Sequence, residues 1–172
     1  MAKNIIILRS VDSDTQTVKT GYSAIELEEG KPVAYGAKST ARNTKGAYLL
    51  TAPGASDTKL GFVYNADVTT LTTATGESYR NINSDPRNIS YPAGTIVNFN
   101  LFSVGQEIGI TNVTGTAAGS THVIIDTTSG GYKYAVVADI ATPTVAFEIT
   151  GTKYVSVGAD RVPTVELLCI KA

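Results

Sequence analysis

From Pro92 to Ala172 the chain repeats one pattern: a short run rich in β-branched and aromatic side chains, then a glycine or proline. The runs are Thr95–Val104, Glu107–Thr111, His122–Asp126, Tyr132–Ala138, Thr144–Ile149, Tyr154–Val157 and Thr164–Lys171. Gly105, Gly109, Gly115, Gly119, Gly130, Gly131, Pro143, Gly151, Gly158 and Pro163 punctuate them. Short strands at regular turn spacing predict a β-sandwich or a small barrel. Glycines within runs read as sites of sharp bending, which favours the barrel. No segment carries the 3.6-residue periodicity of an amphipathic helix. The expected fold class is therefore all-β, a small β-barrel or sandwich with an extended N-terminal arm and a long loop, and at most one helical turn near Ala66–Leu71.

The arm and hairpin are expected over residues 1–44. Ile5–Leu8 reads as a short strand and Val11–Thr20 as extended polar chain. Ala24–Glu28 alternates apolar and acidic residues, which predicts a strand with Ile25 and Leu27 on a buried face and Glu26 and Glu28 on a wet one. Glu29–Pro32 is the turn into a return strand at Val33–Tyr35. The barrel or sandwich domain is expected over 45–172. It opens with strands at Ala47–Leu50 and Leu60–Tyr64, followed by a loop at about 67–91 with little regular structure. A loop of that length in a small domain is usually an interaction segment.

Charge and cysteine usage narrow the function. Lys and Arg total 14, Asp and Glu 15, so no basic excess marks a nucleic-acid partner. The apolar stretch Ile5–Leu8 is too short for a signal-peptide core or a membrane span. Neither a nucleic-acid nor a membrane partner is expected, and the protein is expected to be soluble. The single cysteine, Cys169, lies in an apolar run and reads as a buried small hydrophobe.

No residue pattern supplies a catalytic or cofactor site. Ser120, His122 and Asp126 share one face of an extended strand, but residues two and four apart stand about 7 and 14 Å apart. A catalytic triad needs hydrogen bonds in series. Asp12-Ser13-Asp14-Thr15 starts like a calcium loop, yet Thr17 and Ser23 stand where Gly and Glu are required. One His and one Cys cannot build a zinc centre. Gly115–Ser120 is glycine-rich but lacks the lysine of a phosphate loop. Asn88-Ile89-Ser90 and Asn112-Val113-Thr114 match the glycosylation acceptor pattern, which has no meaning without a secretory signal. The expectation is a non-enzymatic protein with no cofactor and no metal.

Nine tyrosines suit both strands and interfaces. Tyr79 and Tyr91, with Arg80 and Arg87 beside them in the long loop, are the better interface candidates.

Pro92-Ala93-Gly94-Thr95 followed by Leu101-Phe102-Ser103-Val104 resembles the opening of the C-terminal domain in a group of tailed-phage structural proteins. The close of the chain is similar too: Tyr154–Gly158, then Arg161-Val162-Pro163-Thr164-Val165-Glu166-Leu167-Leu168. The Ile25–Tyr35 hairpin and the Leu60–Tyr64 strand fall in a similar order. These proteins are the capsid decoration, or cement, proteins of phages of Gram-positive and gut bacteria. The resemblance implies a virion protein, made in the host cytoplasm, that binds the outer capsid surface and bridges major capsid proteins. Its partners would be the major capsid protein and neighbouring copies of itself. The expected contact residues are Ile5, Ile6, Ile7 and Leu8 in the arm and Tyr79, Arg80, Arg87 and Tyr91 in the loop. The alternative is a host-receptor or glycan-binding β module of a phage tail or cell surface.

Overall fold

The computed structural model describes residues 6–10, 18–64, 70–72, 78–80, 89–157 and 159–172. Along these run β1 (Ile6–Ser10), β2 (Val18–Tyr22), β3 (Leu27–Glu28), β4 (Pro32–Lys38), β5 (Tyr48–Thr51) and β6 (Leu60–Val63). They are followed by β7 (Thr70–Thr72), β8 (Ser78–Arg80), β9 (Ser90–Tyr91), β10 (Ile96–Leu101), β11 (Glu107–Ile110) and β12 (Val113–Thr114). The chain closes with β13 (His122–Asp126), β14 (Gly131–Ala135), a 3-10 helix at Val137–Ala141, β15 (Ala146–Val157) and β16 (Asp160–Lys171). The protein is all-β, and the five-residue 3-10 helix is the only helix among the described residues.

Five strands close a barrel in the order β10-β2-β5-β4-β6, with β2–β5 its parallel pair. A seven-stranded sheet runs β1-β11-β16-β15-β13-β14-β12. Successive side chains on a strand face opposite ways, and this alternation ties the two layers together. On β10, Val97 and Phe99 point into the barrel; on β4 and β6, Val33 and Val63 do the same. Their neighbours Ala34, Leu60 and Phe62 point outward into a second core. The sheet contributes Ile108, Ile110, Val123, Tyr132, Phe147, Leu167 and Cys169 to that core. All four residues of β6 are buried, so this strand is a wall shared by both cores.

A five-stranded barrel has room only for side chains, and two glycines set its tightness. A Cβ on Gly21 would stand 2.6 Å from the Leu50 side chain. A Cβ on Gly61 would collide with the Asn100 carbonyl and crowd Phe99. The interior glycines thus make room for close neighbours.

Several expectations are revised. The boundary at residue 44 cuts through the barrel: β2 and β4 from the first segment are staves, and β4 pairs with β5. Val18–Thr20 is barrel strand, while residues 11–17 lie outside the described residues. Leu27 is buried as expected, but Ile25 is half exposed, because β3 is only two residues long and pairs with β9. The expected loop at 67–91 carries an antiparallel hairpin, β7–β8, and ends in β9. The helical turn near Ala66–Leu71 falls partly outside the described residues, and Thr70–Leu71 are strand. The strand read as Tyr132–Ala138 ends at Ala135 and gives way to the 3-10 helix.

Three runs read as separate strands near the C-terminus make one long hairpin: Thr144–Ile149 and Tyr154–Val157 merge into β15, and Thr164–Lys171 is part of β16. β15 and β16 pair from Ala146↔Lys171 to Val157↔Asp160. Neighbouring strands reach only part of it: β13 meets Ala146–Glu148 and β11 meets Val165–Leu168. Among the described residues, nothing else pairs with Thr152–Val157 or Asp160–Thr164, which form a two-stranded ribbon running past the sheet.

Candidate functional site

Ile6, Ile7 and Leu8 lie in β1, the outermost strand of the large sheet. They pair antiparallel with Ile110, Gly109 and Ile108 of the same chain. The inner backbone edge of β1 is thus satisfied within the molecule. Its outer edge pairs with no described strand, the geometry that permits a further strand to add. Ile5 lies outside the described residues.

Tyr79 and Arg80 lie in β8, at Leu71↔Tyr79 and Thr70↔Arg80. Arg87 lies outside the described residues. Tyr91 has a different environment from the one expected. It is only 1% exposed, belongs to the barrel core, and donates its hydroxyl hydrogen to Glu29 Oε2 at 2.6 Å. Its side chain is structural, not an outward contact. A carboxylate as buried as Glu29 needs such a donor, because desolvation otherwise costs several kcal/mol. The pair ties β9, at the end of the long insertion, to the β3–β4 turn.

The groups weighed for catalysis are each engaged locally. Ser120 Oγ donates to the Thr116 carbonyl at 2.8 Å, and His122 Nδ1 lies 2.7 Å from Thr121 Oγ1. Asp126 accepts hydrogen bonds from Ser129 Oγ and the Thr128 amide. The Ser129 bond, foremost, holds its carboxyl below the usual range. These bonds cap the β13–β14 turn. Asp12 and Asp14 lie outside the described residues. Among the described residues no three His, Cys, Asp or Glu side chains group as metal ligands, and no helix is long and apolar enough to cross a membrane.

Cys169 is 1% exposed, and burial pushes its thiol up to about 11. At neutral pH it is protonated and shielded. A thiol reagent is expected to leave it unmodified in the native state and to label it fully after denaturation; rapid native labelling would contradict this packing. The linkage has a definite sign. Above the ordinary thiol value of about 8.5, the unfolded chain loses a proton that the native chain keeps. Stability should therefore decline as pH rises from there toward about 11.

Two further surface features were hidden in the strand pattern. On the ribbon, Tyr154 is opposite Pro163 and Ser156 opposite Arg161, so all four share one face. Tyr154 is 61% exposed, and the Arg161 guanidinium lies 5.0 Å from its ring centre. The signal lies in two strand runs, Tyr154–Val157 and Thr164–Lys171, with Gly158 and Pro163 between them, a spacing that suits a hairpin. On the barrel, Tyr35 and Tyr48 meet edge to face at 5.4 Å, and Lys38 Nζ lies 5.2 Å over the Tyr48 ring.

A pocket of about 190 Å³ lies between the 54–60 segment and the end of the sheet where β15 begins. No family model, curated protein or solved structure matches the chain. Function must therefore be argued from these surfaces.

Proposed function

We propose that this chain is a non-enzymatic virion structural protein that binds the outer surface of a capsid and stabilises it by bridging major capsid proteins. The observation that carries the reading is the outer edge of β1, which pairs with no described strand. A major capsid protein offering an extended segment would add a strand there, with main-chain hydrogen bonds giving affinity. The β7–β8 hairpin, with Tyr79 and Arg80, supplies a second contact. Many such modest contacts, repeated by shell symmetry, give high avidity. In this reading the site of action is the virion, and the partners are the major capsid protein and neighbouring copies.

Co-sedimentation with mature and empty shells tests it. Saturable binding at a fixed ratio to the shell protein, with a higher shell melting temperature, is the expected outcome. Unchanged shell melting would sink the proposal. A second reading, a receptor- or glycan-binding module of a phage tail or cell surface, draws on the half-buried Tyr35–Tyr48 pair beside Lys38, since tyrosine rings stack on sugar rings. Binding to host cells but not to shells would move it to first place.

A further inference from the structure

The pocket beside β15 has mostly apolar walls and is open among the described residues. Buried Leu60, Ile125 and Val145 line it with Ala55, Ile124 and Pro143, and three threonines share the lining. Its volume of about 190 Å³ exceeds the ~150 Å³ apolar cavity that suffices for a benzene ring. A six-membered aromatic ring is thus an occupant of matching size and polarity. Thr127 lines the same pocket and offers a hydroxyl to a phenol. Asp57 stands at the rim, where its Oδ2 accepts the amide hydrogen of the lining residue Gly54 at 2.7 Å.

The molecule carries a complementary knob. Tyr154 is the most exposed aromatic ring among the described buried and exposed groups, and Arg161 stacks on it. The stacked pair reduces the freedom the tyrosine would lose on docking. It also brings a cation beside the ring, matching the carboxylate beside the pocket. β15 begins at Ala146, next to the lining residue Val145, and reaches Tyr154 eight steps on, roughly 26 Å at the rise of a β-strand. A chain therefore cannot seat its own knob.

We propose that Tyr154 of one copy seats in the pocket formed by Ile124, Ile125 and Val145 of the next, joining copies head to tail. Joined head to tail in this way, the contact is heterologous, and copies extend into a ring or an open row. One ring and one charge pair make a weak joint, effective where copies are held close together. The inference stands whichever macromolecule the protein binds, because it concerns contacts between copies alone.

Sedimentation velocity across concentrations up to the millimolar range provides the test, using three chains. The wild-type chain should show an average mass that rises with concentration. Tyr154→Ala removes the knob and Ala55→Leu narrows the socket; both positions are exposed, so folding is preserved. Each variant alone should stay monomeric. Mixed, they retain one good knob and one good socket, and should stop at a one-to-one pair. Free p-cresol, the tyrosine side chain as a small molecule, should suppress the wild-type association. A wild-type chain that stays monomeric, variants that associate as it does, or a mixture that forms no pair would each overturn the proposal. p-Cresol binding to a wild-type chain that remains monomeric would also overturn it, and would leave the pocket as a site for small aromatic ligands.

Discussion

Phe62→Ala is expected to lower the unfolding free energy by about 3–5 kcal/mol. Phe62 is fully buried and meets Phe102 at 5.1 Å and Tyr64 at 6.5 Å between ring centres. It projects from β6 into the core shared with the sheet, while its neighbour Val63 fills the barrel. Truncation leaves a cavity that neither layer can collapse into, because the same strand is held on its other face. Denaturant unfolding followed by far-UV and near-UV signals should show one transition, shifted as a whole. Two separated transitions would mean that barrel and sheet unfold independently, contrary to a common wall. Val63→Ala serves as the comparison: it should cost less, since fewer carbon atoms are removed, but should shift the same single transition.

Tyr91→Phe is expected to cost about 1.5–3 kcal/mol, the range for a hydrogen bond to a charged group. The ring is conserved in shape, so packing changes little; what is lost is the hydroxyl hydrogen held by Glu29 Oε2. Tyr91 and Glu29 are distant in sequence, and their bond fixes the end of the insertion against the barrel. A double-mutant cycle with Glu29→Gln isolates the pair. The coupling should be positive and well above the few tenths of a kcal/mol expected for unrelated sites. A Tyr91→Phe protein as stable as the wild type, with no coupling to Glu29, would show that the buried carboxylate is satisfied without the tyrosine.

The contrast between Tyr91 and its loop neighbours explains where sequence reasoning succeeds. The run His122–Asp126 coincides with β13, and Leu60–Val63 forms β6, because strand-forming residues there are bounded by clear turn signals. Tyr91 lay in a polar stretch and was grouped with it by proximity. Yet Ile89 and Tyr91 stand two apart, and both pack on the barrel core. That short alternation was the available clue. Pro163 misled in the opposite direction. Proline usually ends a strand, but here it sits inside β16 opposite Tyr154, on a ribbon whose outer edges pair with no described strand. A missing amide can be tolerated there because it need face no ladder. Gly151 similarly marks an irregularity within β15, where the register shifts between Ile149 and Gly151, and not its end. The glycines within the C-terminal runs, which suggest barrel bending, belong to the open sheet (Gly109 in β11, Gly131 in β14, Gly151 in β15), and the closed barrel is built from β10 and four strands before residue 64. The second sheet was not legible, because period-2 alternation specifies faces and not which face meets which. The pocket and the ribbon face come from that three-dimensional arrangement, so neither was visible along the chain.

The pairing of β1 with β11 sets a timetable during synthesis. Ile6 leaves the ribosome early, but its partner Ile110 follows only after about a hundred more residues, on the order of ten seconds later at ordinary elongation rates. The interior strand β16, on which β11 itself rests, comes later still. Throughout that interval the nascent chain carries an apolar strand with both edges open. Its yield in a producing cell should therefore depend on temperature and chaperone supply more steeply than the stability of the finished molecule would suggest.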